Sequence, residues 1–198
     1  INSVSISAVP FFTNSKEYEE LFTPIEGPNF GVLLPNSFSL LNIYEPFSSS
    51  ASISVGDVNK DGREDVIFAR EEGVYLFVNK GEEQFGLQKL NLGGITTSYY
   101  SNAAFVDLNN DSWLDIFIST YMGGNFILYN QQGSFEKVEA QLVPNLKKAI
   151  FTAAPSFGDI NRDGKLDICL GNFSLGRNNV PFYSMHASKN ALLISQKD

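Results

Sequence analysis

One acidic segment recurs three times along this chain, and this repetition restricts the fold more than any other feature. The three copies align without gaps and occupy residues 56–68, 106–118 and 158–170. Their leading aspartates, Asp57, Asp107 and Asp159, are separated by 50 and 52 residues. Repeats of this length are typical of arrays in which one supersecondary unit packs on the next. The sequence therefore predicts three copies of one structural unit.

Short apolar runs flank every acidic segment. Runs rich in small residues precede the segments, at residues 51–55, 102–106 and 152–157. Runs that end in polar turns follow them, at residues 74–81, 126–133 and 191–198. In the first two units Phe85 and Phe135 come after the turn and would open a fourth strand. Four short strands per repeat indicate an all-β fold, a β-propeller of four-stranded blades, with the small-residue strands innermost.

The chain divides into an N-terminal segment and three recognisable blades, so the propeller is expected to be incomplete and the chain a fragment. The blades are predicted at residues 51–100, 101–151 and 152–198. Residues 1–50 contain five of the eight prolines and no acidic loop, which predicts extended segments and turns. They form either a degenerate blade or strands that complete another blade, and the second arrangement is favoured.

The acidic segments place oxygen-bearing side chains at a fixed spacing. In each copy Asp or Asn stands at positions 1, 3, 5 and 9 of a nine-residue loop. Alternate residues of a tight loop can converge on one ion, and Ca²⁺ takes its oxygen ligands from carboxylates, backbone carbonyls and water. With the backbone carbonyl at position 7, the predicted ligands are Asp57, Asn59, Asp61, Arg63, Asp65, Asp107, Asn109, Asp111, Trp113, Asp115, Asp159, Asn161, Asp163, Lys165 and Asp167. Up to three Ca²⁺ ions are therefore expected.

Two other interpretations of these loops compete with that prediction. An EF-hand requires a Glu at position 12, where this chain has Phe68, Ile118 and Leu170, so that scaffold is excluded. Asp, Asn and Gly also form turns between strands without any metal, although three copies in register favour metal ligation. The second loop is expected to bind most weakly, because Ser112 replaces the glycine that supplies a positive φ at position 6.

The Phe-Gly-Asp triplet at residues 157–159 and the loop after it resemble the FG-GAP repeat of integrin α-subunit propellers. The whole unit is similar to the related VCBS-type repeats of bacterial secreted proteins, over residues 51–198. The resemblance implies a β-propeller with Ca²⁺ in the loop between the first two strands of a blade. It also implies an extracellular, cell-surface or periplasmic protein that binds other molecules. Ser112 and the Val-Asp pair at residues 106–107 depart from the family pattern.

Composition narrows the classes of partner. The net charge is −8, with 22 acidic residues against 14 Lys and Arg, which argues against binding nucleic acid or anionic membranes through bulk charge. Nine of the acidic residues stand at predicted ligand positions. No apolar stretch approaches the length of a membrane span, and the chain starts without a signal peptide, which is either already removed or was never present. A protein or glycan partner is expected.

The single cysteine, the single histidine and one expected loop are not assigned to a catalytic or metal site. Cys169 lies in an apolar run and is expected to be a small buried hydrophobe. His186, the single histidine, is expected on a surface loop. Residues 171–179 are expected to lengthen the loop between the second and third strands of the third blade, a place where binding residues often lie.

Three functional hypotheses remain open. No G-x-S-x-G, H-E-x-x-H or P-loop motif occurs, so no catalytic residue is assigned and the chain is not expected to be an enzyme. The leading hypothesis is a calcium-binding propeller module of a secreted or surface protein that mediates adhesion, protein or glycan binding, or assembly. One alternative is part of a catalytic propeller or carbohydrate-active enzyme whose active site lies outside this chain. The other is a structural subunit of a large complex.

Overall fold

The short apolar runs of the sequence become strands in a computed structural model, which describes residues 52–70, 73–88, 90–93, 95, 100–121, 123–143, 150–175 and 189–196. The strands are β1 (Ser52–Gly56), β2 (Asp65–Arg70), β3 (Gly73–Gly81), β4 (Gln84–Gln88), β5 (Tyr100–Val106), β6 (Asp115–Thr120), β7 (Asn125–Leu128), β8 (Gln141–Leu142), β9 (Ile150–Gly158), β10 (Asp167–Leu175) and β11 (Ala191–Leu193). These residues include no helix, and hence none with the length and apolar character to cross a membrane. The all-β prediction is confirmed. The N-terminal segment 1–50 and His186 lie outside the described residues.

The strands form three antiparallel sheets that follow one another along the chain. Sheet 1 contains β1 to β4 and sheet 2 contains β5 to β8, each in sequential order. Sheet 3 has three described strands, in the order β11, β10, β9. Each acidic loop joins the first two strands of its sheet, as predicted; in sheet 1 it connects Gly56 with its cross-strand partner Asp65.

The fourth strands match the prediction only in part. Phe85 lies in β4, as expected. Phe135 lies outside any strand and is fully buried, and the fourth strand of sheet 2 is reduced to Gln141–Leu142. The prediction for Phe135 was wrong because its ring packs into the core between sheets 1 and 2, where burial outweighs strand pairing.

A second correction concerns the expected loop at residues 171–179. β10 continues to Leu175 and pairs with β9 over its whole length, with irregular register around Asn172. The Asn172 backbone N–H donates to Asn190 Oδ1 at 3.0 Å. Residues 171–175 therefore extend a strand, and the rest of that predicted loop lies outside the described residues.

Sheet 2 is covered on both faces. All six residues of β6 are buried, and successive side chains of a strand point to opposite faces. Ile116 and Ile118 pack in one core cluster with residues of sheet 1. Phe117 packs in a second cluster with residues of sheet 3 and meets Phe157 edge-on, with ring centroids 5.3 Å apart. The core formed by the described residues therefore consists of two layers, one at each junction between neighbouring sheets.

Small polar side chains join the first strands of neighbouring sheets. Ser52 Oγ of β1 accepts a hydrogen bond from the Ala103 N–H of β5 at 2.7 Å. Ser101 Oγ of β5 donates to the Thr152 carbonyl of β9 at 3.1 Å. The small residues predicted for the first strands thus let these strands approach one another closely enough for side chain to backbone bonds.

The outer face of sheet 3 is less covered than the junctions. Cys169 of β10 is half-buried, which is less than the sequence predicted. Ile160 at position 2 of the third loop is 51% exposed, whereas Val58 at the same position of the first loop is 1% exposed. Burial of this position therefore depends on whether a neighbouring sheet packs beside it.

Candidate metal centres

The three acidic loops follow one backbone path. Position 4 has a positive φ in every copy, 58° at Lys60, 64° at Asn110 and 61° at Arg162. Position 6 also has a positive φ in every copy, 82° at Gly62, 70° at Ser112 and 86° at Gly164. The positive φ predicted at position 6 is confirmed even for Ser112. The one at position 4 was missed, because Lys and Arg give no sequence signal for left-handed backbone.

Side chains at positions 1, 3 and 5 accept hydrogen bonds from the backbone of their own loop. In the first loop Asp57 Oδ2 accepts from the Gly62 N–H at 2.8 Å. Asn59 Oδ1 accepts from the Asp61 N–H at 3.0 Å, and Asp61 Oδ1 from the Arg63 N–H at 3.0 Å. The other two loops repeat these bonds at 2.8 to 3.1 Å. The turn interpretation predicts such bonds.

The loop carboxylates are not drawn together into a closed ligand shell. Within the described ranges, no three Asp, Glu, His or Cys side chains form a cluster that could hold a metal ion. In the first loop the Arg63 guanidinium also pairs with Asp61. The donor set still suits a hard cation such as Ca²⁺, because it consists of oxygens, and a hydrogen-bonded carboxylate retains further lone pairs. The residues therefore fit Ca²⁺ in donor chemistry and in their spacing along the sequence.

One carboxylate oxygen of the second loop has no partner among the residues that the structure describes. Asp107 Oδ1 is buried and makes no hydrogen bond with any of them. The corresponding oxygens of Asp57 and Asp159 each accept from the N–H at position 5, from Asp61 and Asp163 respectively, at 3.0 Å. A buried carboxylate oxygen without a partner is energetically unfavourable, and a bound cation would satisfy it. This observation supports the fit in the loop for which the sequence predicted the weakest binding.

The aspartate at position 9 is fully buried in every copy. Asp115 Oδ2 accepts from the Leu108 N–H at 3.0 Å, and its Oδ1 accepts from the Asn130 N–H at 2.9 Å. Asp65 and Asp167 make the corresponding pair of bonds. This side chain therefore ties the start of its loop to the third strand or to the residues just after it. The sequence indicated a ligand here and gave no sign of this second, structural role.

Burial raises the pKa of the Asp65 and Asp115 carboxyl groups. Hydrogen bonds from backbone N–H groups oppose the increase, and the carboxylates at positions 5 and 1 of the same loop add to it. The carboxylates at positions 1 and 5 are thus close enough to act on the carboxyl group at position 9 in the first two loops. A cation among them would favour the ionised forms.

Position 4 links each loop to the next. Lys60 Nζ lies 4.1 Å from the centroid of the Trp113 ring in the second loop. Asn110 Nδ2 of the second loop donates to the Gly164 carbonyl of the third loop at 2.8 Å. The three loops therefore form a connected row along one edge of the sheets.

Substitutions at position 6 test the backbone requirement. Gly62 has a φ of 82°, and apart from its chain neighbours no described residue has an atom within 4 Å of the place that a Cβ would occupy. We expect Gly62→Ala to lower the free energy of unfolding by about 1 kcal/mol through the left-handed penalty alone. Ser112→Gly should raise it by less than about 1 kcal/mol, because the freer unfolded chain offsets part of the gain.

Urea denaturation measures both changes. Ser112→Ala is the control, since it keeps a side chain at the same φ and should leave stability nearly unchanged. A Gly62→Ala variant as stable as the parent chain would contradict the left-handed geometry of the first loop.

Comparison with known proteins places these loops in a repeat family. The model of the FG-GAP-like repeat matches residues 57–118 and 107–170. The chain is 32% identical to integrin alpha-6 of Gallus gallus over 130 residues, which cover 60% of this chain and 12% of that protein. It is 36% identical to integrin alpha-6 of Homo sapiens over 88 residues, which cover 39% and 8%. Integrin alpha-3 of Mus musculus is 32% identical over 132 residues, which cover 60% and 12%.

The chain thus spans only about a tenth of the length of these curated relatives. The family match is broader, because its two overlapping repeats together cover more than half of the chain. Repeats of this family are blades of β-propellers, and the three consecutive antiparallel sheets agree with that architecture. The chain belongs to the FG-GAP-like repeat family.

Proposed function

We propose that this chain is a calcium-binding propeller module of an adhesion-type protein that acts outside the cell or on its surface. The observation that carries the proposal is one loop conformation, repeated three times with the same oxygen donors at the same positions. The unpartnered, buried Asp107 Oδ1 supports it further. Similarity to integrin alpha chains supports the adhesion-type role and the extracellular location.

The proposed ligands follow the same order in each loop. In the first loop they are the side-chain oxygens of Asp57, Asn59, Asp61 and Asp65, with the backbone carbonyl of Arg63. The aligned residues of the second and third loops hold the other two ions. Bound Ca²⁺ would offset the repulsion among the carboxylates and hold the path of each loop. The second loop is proposed to lose its ion first, because Ser112 makes its turn less favourable.

The module is proposed to bind a protein partner and to have no catalytic role. Its blades are proposed at residues 51–100, 101–151 and 152–198, with residues 1–50 completing another blade. Outside the cell the partner could also be a glycan. A binding screen on glycan and protein arrays would distinguish a glycan partner from a protein partner. In either case the calcium loops stabilise the module rather than contact the partner.

Calcium titration of thermal unfolding tests the metal sites. Affinities of extracellular calcium modules are often about 10⁻⁴–10⁻³ M, and a ligand at ten times its Kd adds about 1.4 kcal/mol per site. We therefore expect the melting temperature to rise steadily over millimolar Ca²⁺ and to fall again in EDTA. An equal response to Mg²⁺ would show that the sites do not select the larger cation.

Two variants in the first loop separate ligation from bulk charge. Asp61→Asn removes a proposed ligand charge, whereas Glu64→Gln removes the same charge at exposed position 8. The calcium-dependent rise should shrink in the first variant and stay unchanged in the second. Equal responses of both variants, or no heat of calcium binding in calorimetry of the parent chain, would refute the proposed sites.

A further inference from the structure

Five polar side chains meet inside the junction between sheets 2 and 3. Asn102, Ser119 and Asn125 are cross-strand neighbours on β5, β6 and β7. Thr152 and Asn172 are cross-strand neighbours on β9 and β10, across the junction. The group lies toward the ends of the strands remote from the acidic loops. It is therefore separate from the candidate metal centres.

Hydrogen bonds fix the direction of each group in turn. Asn172 Nδ2 donates to the Lys189 carbonyl at 2.9 Å, which leaves Asn172 Oδ1 to accept from the Thr152 hydroxyl at 2.9 Å. Because the Thr152 proton is used there, Thr152 Oγ1 accepts from Asn125 Nδ2, at 3.0 Å. The amide of Asn125 is thereby oriented, and its Oδ1 is directed away from Thr152.

Two atoms at the end of this relay have no partner in the described part of the chain. These are Asn125 Oδ1 and Ser119 Oγ, which are buried and make no hydrogen bond there. Ser119 and Asn125 are directly opposite each other on β6 and β7, an arrangement in which Cβ atoms lie about 4.5–5.5 Å apart. Two unsatisfied polar atoms on directly opposite residues in a protein interior call for a shared partner.

The equivalent place between sheets 1 and 2 contains no such polar pair. There the cross-strand pair is Ala69 and Val74, which belong to one core cluster with Tyr100 of sheet 2. Thr152 of sheet 3 corresponds to Tyr100 of sheet 2, because Tyr100 and Thr152 are as far apart in the sequence as Asp107 and Asp159. The Thr152 side chain is smaller than that of Tyr100, and the Ser-Asn pair supplies polar atoms. An ordered internal water molecule needs both space and polar partners.

We propose that one ordered water molecule is enclosed at this junction. It accepts a hydrogen bond from the Ser119 hydroxyl and donates one to Asn125 Oδ1. With the water in place, a continuous chain of hydrogen bonds runs from the Lys189 carbonyl to Ser119. This chain sets the register of sheet 3 on sheet 2, because a shift of either sheet would leave the buried polar groups unpaired.

A high-resolution crystal structure of the whole chain tests the proposal directly. We expect a density peak within hydrogen-bond distance of both Ser119 Oγ and Asn125 Oδ1. A structure without that peak, or one in which these two atoms bond directly to each other, would overturn it. This measurement uses the parent chain and does not depend on any variant.

Magnetic relaxation dispersion in solution provides a second test by counting long-lived internal waters. The double variant Ser119→Ala/Asn125→Val installs the residue types of Ala69 and Val74 and should have one such water fewer than the parent chain. Ser156→Ala removes an exposed hydroxyl of β9 and should leave the count unchanged. Circular dichroism establishes that the double variant is folded. An unchanged count in the folded double variant would refute the site.

Discussion

Asp115→Ala is expected to lower the free energy of unfolding by about 3–5 kcal/mol. The side chain is fully buried and accepts one N–H bond on each oxygen, from Leu108 and Asn130. Alanine would leave both N–H groups without an acceptor, at about 1–3 kcal/mol each, and would remove two bonds to a charged group. Urea denaturation in EDTA measures the effect without any contribution from bound metal.

The matched control for Asp115→Ala is Asp111→Ala in the same loop. Asp111 is exposed, and among the described residues its side chain bonds only to Asn109 and Trp113 of its own loop, so its removal should cost less than about 1 kcal/mol. The free energy of unfolding of Asp115→Asn should lie between those of the two alanine variants, because its amide retains a single acceptor oxygen. Equal stabilities of the two alanine variants would contradict the role of Asp115 in joining the loop to Asn130, just after the third strand of its sheet.

Phe117→Ala is expected to have an effect of similar size, about 3–5 kcal/mol, for a different reason. Phe117 is fully buried in the core layer between sheets 2 and 3 and meets Phe157 edge-on. Truncation removes the ring and leaves a cavity that two rigid sheets can fill only in part. Denaturation of the variant measures the loss.

Leu142→Ala is the control for the core substitution. Leu142 is a large apolar residue of sheet 2 as well, but it is 43% exposed, so its truncation should cost less than about 1 kcal/mol. Hydrogen exchange adds a spatial readout, since Phe117→Ala should increase exchange in β10 more than in β2. An equal increase in both strands would show that the two core layers do not act separately.

The sequence predicted the repeat, the position of the acidic loops and the all-β class correctly, because these depend on short-range patterns that recur in register. The family match confirms the β-propeller class. The position of Phe135 was not predictable in the same way. An aromatic residue after a turn fits an edge strand as well as a core, and only the packing of sheet 1 against sheet 2 decides between them.

The spacing of the candidate ligands could be read from the sequence. The hydrogen bonds and backbone conformations that hold the loops could not. The two bonds that hold Asp115 come from backbone groups 7 and 15 residues away, and their approach depends on the fold of the whole sheet. The left-handed backbone at Lys60 and Arg162 had no signal in residue type. Likewise, Ser119 and Asn125 are ordinary polar residues of strands until the register places them opposite each other in the interior.

Because sheet 2 is covered on both faces, local unfolding is expected in the outer sheets rather than in sheet 2. Its strands β6 and β7 are buried throughout, whereas Ile53 of β1 and Leu192 of β11 are 61% and 52% exposed in the described structure. Amide protons of β6 should therefore exchange only through global unfolding, and those of the outer sheets through smaller local openings. Ser112 lies in the loop that leads into β6. The repeat with the least favourable turn therefore belongs to the sheet that is expected to unfold locally least often.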